Sequence, residues 1–119
     1  MSDRVLIVDD HESFRRLASR VLLASGFSVV GEAVDAASAL RETAALLPDI
    51  VLLDVMLPDR SGFEVARELA IGPHPPRVVL TSSRNRSDFG AGFEWPGGCD
   101  FVPKHELSGA SLRGLLGER

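Results

Sequence analysis

The sequence predicts an α/β fold in which a doubly wound parallel sheet of five strands has helices on both faces. Three observations lead to this prediction. Short apolar runs recur along the chain, each with the composition of a strand that is covered on both faces. Helical patterns separate most of these runs. The length of 119 residues suits one domain, 1–119, whose core is large enough to need no disulfide or structural metal.

Five apolar runs supply the predicted strands. Each contains valine, leucine, isoleucine or phenylalanine without strict polar alternation, which is typical of strands inside an α/β sheet. Joining such strands in parallel requires right-handed crossovers through the intervening helices. The runs cover residues 5–8, 28–30, 50–53, 77–80 and 100–102.

Helical patterns with start and stop signals fill the first three gaps between the predicted strands. The first helix has apolar residues spaced along one face, namely Phe14, Leu17, Ala18, Val21 and Leu22. Gly26 is placed to end this helix. Asp35 is expected to cap a second helix that stops at Pro48, and residues 61–64 (Ser-Gly-Phe-Glu) match a capping box that opens a third.

The gap between the fourth and fifth strands is expected to hold only a short or irregular fourth helix. It contains four glycines and a proline, namely Gly90, Gly92, Pro96, Gly97 and Gly98. Each interior glycine costs a helix about 1 kcal/mol relative to alanine. We therefore expect residues 87–98 to be irregular or mobile. A last helix over 107–116 keeps an apolar set but is interrupted by Gly109 and Gly114.

Composition narrows the class of protein. The formal net charge of -4 and the pI near 5.3 give no basic footprint, so we expect this domain to bind neither nucleic acid nor membrane. The single cysteine, Cys99, cannot form an internal disulfide. No apolar stretch approaches the roughly 20 residues that span a bilayer, and the amino terminus does not read as a signal peptide. A cytoplasmic protein is expected.

Polar residues follow four of the predicted strands. Asp9 and Asp10 follow the first strand, Asp54 the third and Thr81 the fourth. Lys104, the only lysine in a chain whose other basic residues are arginine or histidine, lies just past the fifth. In a doubly wound sheet, ligands bind beyond the carboxyl ends of the strands. A strand order of 2-1-3-4-5 would bring these five residues into one pocket.

The chemistry of that pocket points to a cation and a phosphoryl group. Three carboxylates raise one another's pKa unless a cation is present, and oxygen ligands favour Mg²⁺. A magnesium-bound carboxylate beside an ammonium and a hydroxyl can attack phosphorus while the charge on the transferred oxygens is neutralised. The implied product is an aspartyl phosphate.

At these residues the chain resembles the receiver domains of two-component response regulators, including those that precede helix-turn-helix output domains. The resemblance covers nearly the whole chain and implies the flavodoxin-like version of the predicted fold. It is carried by an acidic pair, a phosphoacceptor aspartate followed by Val-Met-Leu-Pro, a loop glycine, and a late threonine and lysine. These residues are Asp9, Asp10, Asp54, Gly62, Thr81 and Lys104.

The resemblance implies a role for each site residue. Asp10, Asp54 and the main-chain carbonyl of Met56 are expected to bind Mg²⁺, and Asp9 to act on the ion mainly through water. The residues expected to contact the phosphoryl group are Lys104 and Thr81. The residues expected to act as the switch are Thr81 and Phe101, with Phe101 moving inward when the domain is phosphorylated.

The function implied is that of a phosphoacceptor receiver. It takes a phosphoryl group from a sensor histidine kinase or a small phosphodonor onto Asp54 with Mg²⁺, and thereby switches partner interactions. It is not expected to be an enzyme beyond phosphorylating and dephosphorylating itself at Asp54. Its output is expected to be a downstream effector or a DNA-binding domain outside this chain, and a homodimer is left open.

Two other functions were weighed against the receiver. A phosphohydrolase with an aspartate nucleophile usually carries a second acid two residues on, where this chain has Met56. A phosphorylation-independent, receiver-like binding module is favoured only by the weak fourth helix, since all five site positions are kept. Two further residues are assigned no role in the site: Asp49 is expected at a strand entry and Asp59 in a turn. His11 directly follows the acidic pair, where it could tune the local field or face a kinase, but a solvated histidine of the first helical turn is the favoured interpretation.

Overall fold

The computed structural model describes residues 3–116 and contains the predicted five-stranded sheet. The strands are β1 (Arg4–Val8), β2 (Ser28–Ala33), β3 (Ile50–Asp54), β4 (Arg77–Ser82) and β5 (Asp100–Pro103). All four pairings are parallel, and the order is β2-β1-β3-β4-β5, as predicted. This order places β1 and β3 side by side at the centre, so that the polar residues after them lie at the same edge.

Four α-helices cover the two faces of the sheet. They are α1 (Glu12–Ala24), α2 (Ala36–Leu46), α3 (Gly62–Ala70) and α4 (Gly109–Leu116). Successive side chains of a strand point to opposite faces. In β1, Val5 and Ile7 therefore pack in the core under α1 and α4, whereas Leu6 and Val8 pack in the core under α2 and α3. The doubly wound, flavodoxin-like architecture is confirmed.

The predicted helix boundaries are confirmed with one correction. Asp35 caps α2 by accepting a hydrogen bond from Ser38 N–H at 2.8 Å, and Gly26 follows α1 with a φ of 92°. Ser61 caps α3, but it accepts from Phe63 N–H, and the expected return bond from Glu64 is replaced by an ion pair of Glu64 with Arg60 at 3.2 Å. Arg60 lies one turn before Glu64 and draws its carboxylate away from the helix start.

The predicted weakness of the fourth helix is confirmed. Between β4 and β5 the chain forms a single 3-10 turn over Arg86–Phe89, and the residues from Gly90 to Cys99 form no helix or strand. The glycines and Pro96 deny this stretch the continuous backbone hydrogen bonds of a helix. The final predicted helix is α4, which begins at Gly109 rather than at Leu107. The predicted mobility of residues 87–98 stays a prediction.

Aromatic packing takes the place of the missing helix. Adjacent rings in what we call the aromatic cluster have centroids 4.8 to 5.9 Å apart. Two arginines add cation–π contacts: Arg84 lies 4.8 Å from the ring of Phe89, and Arg86 lies 4.2 Å from the ring of Trp95. Packing of side chains therefore stabilises the segment between β4 and β5, where backbone hydrogen bonds are isolated rather than continuous. The aromatic cluster comprises Phe63 of α3, Phe101 of β5, and Phe89, Phe93 and Trp95 of the irregular segment.

Phe101 is a buried member of the aromatic cluster. It is only 8% exposed and packs against Phe89 and Trp95 at centroid distances of 5.9 and 5.1 Å. The expected inward movement of Phe101 on phosphorylation stays a prediction. Separately, within residues 3–116 no helix is both long and apolar enough to cross a membrane.

Removing Trp95 should release the irregular segment. In Trp95→Ala, we expect amide exchange at Asp88, Gly90 and Phe93 to rise at least about tenfold, because ring packing is what keeps their isolated turn hydrogen bonds closed. Hydrogen exchange read by NMR measures this change.

A matched control is Phe27→Ala, which removes an aromatic ring that packs on the opposite core. This variant should lower global stability without selectively exposing those three amides. Equal exchange profiles in the two variants would contradict the anchoring role of Trp95.

Candidate functional site

The polar residues that follow the strands converge at the carboxyl edge of the sheet. A cleft of about 310 Å³ is lined there by residues from the ends of β1, β3 and β4 and from the chain just after β5. The strand order predicted this convergence, because β1 and β4 both pair with β3. The lining residues include Asp10, His11, Asp54, Met56, Arg84 and Lys104.

Asp54 is the central carboxylate of the cleft. It is the last residue of β3, pairs in register with Thr81 on β4, and is 4% exposed. Its Oδ1 accepts a hydrogen bond from Met56 N–H at 3.1 Å, and its Oδ2 lies 3.3 Å from Lys104 Nζ. Both carboxylate oxygens of Asp54 thus have a partner that fixes their position, and Asp54 still lines the cleft.

Burial dominates the electrostatics of Asp54. Loss of hydration raises its pKa above the usual 3.8, and the nearby charge of Asp9 adds to the rise. The hydrogen bond from Met56 N–H and the ammonium of Lys104 oppose these effects without cancelling them. The charged form of Asp54 is therefore destabilised by its surroundings, and a further cation in the cleft would stabilise it.

Lys104 bridges two of the carboxylates. Its Nζ lies 2.6 Å from Asp9 Oδ2 and 3.3 Å from Asp54 Oδ2, and 4.7 Å from the centre of the Phe14 ring. Burial alone would lower the pKa of Lys104, but hydrogen bonding to Asp9 and the charge of Asp54 outweigh burial and raise it. The ammonium is therefore kept charged at this position.

The acidic pair divides into a buried and an exposed member. Asp9 is fully buried, whereas the side chain of Asp10 is 37% exposed. Asp9 Oδ1 accepts from His11 N–H at 2.8 Å, and the His11 ring places Nδ1 at 3.1 Å from Asp9 Oδ1 and 3.2 Å from Asp10 Oδ1. One ligand atom from each of Asp9, Asp10, His11 and Asp54 can be chosen so that all lie within 4.8 Å of one another.

The residues of the cleft fit a hard divalent cation. Among residues 3–116, two fully buried side-chain oxygens have no aligned hydrogen bond, Asp9 Oδ2 and Thr81 Oγ1, although Asp9 Oδ2 is ion-paired with Lys104. Lys104 offsets only part of the negative charge of Asp9, Asp10 and Asp54, so an added cation would offset the rest. Carboxylate and carbonyl oxygens are the ligands that Mg²⁺ prefers.

The side chain of His11 is 65% exposed, as expected of a solvated histidine, yet its ring contacts both members of the acidic pair. Such contacts are what the alternative role of tuning the local field requires. Sequence reasoning missed one residue of the cleft. Arg84 lines the cleft and also stacks on Phe89, and nothing in the sequence pointed to it.

Asp59 does more than form a turn. Its carboxylate accepts hydrogen bonds from Ala36 N–H at 2.8 Å and Ala37 N–H at 3.0 Å, at the start of α2. The Ala36 hydrogen bond is the main cause that lowers the pKa of Asp59 below 3.8. Asp49 has the expected place at a strand entry, where its carboxylate accepts from Arg4 N–H at 2.8 Å.

Comparison with known proteins identifies the family of this chain. The sequence model of one protein family, the response regulator receiver domain, matches residues 5–112 of this chain. The chain belongs to this family. It is 43% identical over 107 residues to the response regulator PleD of Caulobacter vibrioides, and 39% identical over 106 residues to the DNA-binding response regulator MtrA of Mycobacterium tuberculosis. Each match covers 87% of this chain. The matches cover only 23% of PleD and 45% of MtrA, so the chain spans less than half the length of either relative.

A solved structure supports the same assignment. A two-component response regulator of the LuxR family from Aurantimonas is 30% identical to this receiver domain and superposes with a TM-score of 0.82. The match covers 98% of this chain and 83% of that one. The receiver fold is thus kept even though the fourth helix is reduced to one 3-10 turn.

Gly62 should prove irreplaceable because of how closely it approaches the backbone at the end of β3. A Cβ at this position would lie 2.1 Å from Asp54 O and 2.7 Å from Val55 Cα, and both are backbone atoms that cannot rotate away. We expect Gly62→Ala to lower the free energy of unfolding by about 2 kcal/mol or more, as measured by urea denaturation.

Gly72→Ala is the matched control, since its Cβ would find its nearest neighbours at 3.6 and 3.9 Å. This substitution should be close to neutral. If the two variants unfold at the same urea concentration, the close approach of Gly62 is not a constraint.

The raised pKa of Asp54 predicts a pH-dependent effect of removing it. At a pH above the raised pKa, the charge of Asp54 lowers the free energy of unfolding, because the charged carboxylate is better solvated in the unfolded chain. This destabilisation decreases as the pH falls through the raised pKa toward 3.8, where the carboxylate becomes neutral in both states. Asp54→Asn should therefore raise the free energy of unfolding at neutral pH, and the gain should shrink toward about pH 4. Urea unfolding across this range measures it.

Asp59→Asn is the comparison variant, and it should lower the free energy of unfolding at neutral pH where Asp54→Asn raises it. Its pKa is lowered, so its contribution to stability is present at neutral pH and is lost as pH falls through the lowered value. A gain for Asp54→Asn that did not vary with pH would mean that burial of its charge is not the cause.

Proposed function

We propose that this receiver domain accepts a phosphoryl group on Asp54, with Mg²⁺, from a sensor histidine kinase or a small phosphodonor. The observation that carries the proposal is the placement of the Asp54 carboxylate 3.3 Å from the only lysine ammonium of the chain. The same ammonium is paired with the fully buried Asp9. A nucleophile, a cation for the phosphoryl oxygens and an acidic ion site therefore share one cleft.

The proposed ion site uses residues that line the cleft, together with the buried Asp9. Asp10, Asp54 and the main-chain carbonyl of Met56 would hold Mg²⁺, with Asp9 acting mainly through water. The bound ion would supply positive charge that neutralises the carboxylates and the incoming phosphoryl oxygens. Met56 is suited to this role because its main-chain N–H donates to Asp54 Oδ1, which keeps its backbone beside that carboxylate.

In the proposed reaction an Asp54 carboxylate oxygen attacks the phosphorus of the donor. A phosphorus–oxygen bond to Asp54 forms as the bond from phosphorus to the donor nitrogen or oxygen breaks, and the donor leaves with that electron pair. Lys104 pairs with a phosphoryl oxygen and offsets its charge. Attack by water on the aspartyl phosphate later restores Asp54, and we propose no turnover of any other substrate.

The proposed switch uses Thr81 and Phe101. Thr81 Oγ1 is buried without a hydrogen-bond partner among the described residues, so a phosphoryl oxygen next to it would gain a donor. Thr81 follows Leu80, which pairs with Phe101 on β5. A shift at Thr81 would therefore reach the aromatic cluster through its Phe101 member, and then the irregular segment.

The proposed partners follow from the family and from the relatives. A sensor histidine kinase would supply the phosphoryl group, in the cytoplasm. MtrA is a DNA-binding response regulator and is longer than this chain, which supports a downstream effector or DNA-binding domain as the output. The net charge of -4 supports our proposal that the receiver itself binds neither nucleic acid nor membrane. A homodimer is compatible with the same switch.

One observation favours a second candidate, a phosphorylation-independent binding module. Phe101 is 8% exposed and packs against Trp95, so its ring belongs to a closely packed aromatic surface. In that case the cluster would present a fixed surface to a partner. The two candidates differ in whether Asp54 is chemically modified.

Phosphorylation by acetyl phosphate tests the choice. We expect the intact mass of the protein to increase by one phosphoryl group with Mg²⁺, not to change with a chelator, and not to change in Asp54→Asn. Hydroxylamine should remove the group, because it cleaves acyl phosphates.

Asp49→Asn is the matched control, since Asp49 precedes the same strand at its opposite end, and it should still be modified. Modification of Asp54→Asn would identify a different nucleophile. If the unaltered protein is never modified, the binding module becomes the better candidate.

A further inference from the structure

We propose that His11 is a ligand of the metal site through Nδ1, and that this nitrogen makes the site prefer first-row transition ions such as Co²⁺ and Mn²⁺ over Mg²⁺. The inference rests on the proposed function, because it concerns the same ion site. It adds a nitrogen ligand to a site otherwise built from oxygens, and it identifies the class of ion that the site selects.

The spacing around His11 is that of ligands sharing one ion. Two ligands at adjacent corners of an octahedron, each about 2.1 Å from the ion, stand about 3.0 Å apart. His11 Nδ1 lies 3.1 Å from Asp9 Oδ1 and 3.2 Å from Asp10 Oδ1. The ring therefore already occupies a corner next to both carboxylates, and an ion among them needs little rearrangement.

The ring has no competing role within residues 3–116. Its Nδ1 contacts only the two carboxylates, and its side chain is 65% exposed, so a bound ion would take the place of these contacts at Nδ1. The backbone supports the pose, because His11 N–H donates to Asp9 Oδ1 at 2.8 Å and His11 is the N-cap residue of α1. Its polar contacts are thus directed to the acidic pair.

The two carboxylate oxygens of Asp9 face different partners. Asp9 Oδ2 faces Lys104 Nζ at 2.6 Å, whereas Asp9 Oδ1 faces His11. Lys104 also faces Asp54, which places it on the side proposed for the phosphoryl group. The Oδ1 side, shared with Asp10, is therefore the side left for the metal, and it is where the imidazole lies.

A nitrogen ligand changes the selectivity of such a site. Mg²⁺ strongly prefers oxygen and keeps its waters, so an imidazole adds little to its binding. Imidazole suits transition ions, and the affinity of a mixed nitrogen and oxygen site rises from Mn²⁺ through Co²⁺ toward Cu²⁺. His11 should therefore raise the affinity for Co²⁺ while leaving that for Mg²⁺ nearly unchanged.

The test compares the protein with His11→Ala by calorimetric titration with Mg²⁺ and with Co²⁺. We expect His11→Ala to weaken Co²⁺ binding by about tenfold or more and Mg²⁺ binding by no more than about twofold. With Mn²⁺ bound, electron spin-echo spectra should show modulation from an imidazole nitrogen in the unaltered protein and none in His11→Ala. His105→Ala is the matched control, because that exposed histidine pairs with Glu106 and does not line the cleft.

The outcomes separate this inference from the proposed function. Equal Co²⁺ affinity in the protein and in His11→Ala, or Mn²⁺ without nitrogen modulation, would overturn the role of His11 even if Mg²⁺ still supports phosphorylation of Asp54. Equal weakening of Mg²⁺ and Co²⁺ would overturn the selectivity. If the unaltered protein binds none of these ions, both the inference and the proposed ion site fail.

Discussion

The rest of the site depends on one buried charge arrangement, in which Lys104 Nζ lies between Asp9 Oδ2 and Asp54 Oδ2. Two carboxylates this close to each other and this deeply buried would repel strongly without a cation. The ammonium compensates part of that repulsion and leaves Asp54 with a raised pKa. The fold contributes by ending β1 and β3 side by side, so the two aspartates are neighbours, and Lys104, which follows β5 at the edge of the sheet, reaches both of them past the end of β4.

Most of this arrangement could be predicted from the sequence, because it depends on periodicity and order. Apolar runs separated by helical patterns determine which residues end a strand, and parallel strands bring those ends to one edge. Asp54, Thr81 and Lys104 could therefore be placed together without knowing any contact. The weakness of the fourth helix was equally predictable, since the conformational cost of glycine is local.

The features that escaped prediction are contacts between segments that no local pattern joins. The aromatic cluster combines Phe63 of α3 with Trp95 of an irregular stretch, and their meeting depends on how the chain returns to the sheet. Phe101 is buried for the same reason. Asp59 caps α2 across a gap of 23 positions in the chain, which turn propensity alone does not reveal.

The loop after β3 has a consequence for how this protein can vary in length. Asp54 Oδ1 holds Met56 N–H near the start of the loop, Asp59 holds the first amides of α2 from its middle, and Gly62 N–H donates to Val55 O at its end. An insertion or deletion anywhere between residues 54 and 62 would break at least one of these attachments. This loop should therefore tolerate a change in length less well than a surface loop without such attachments.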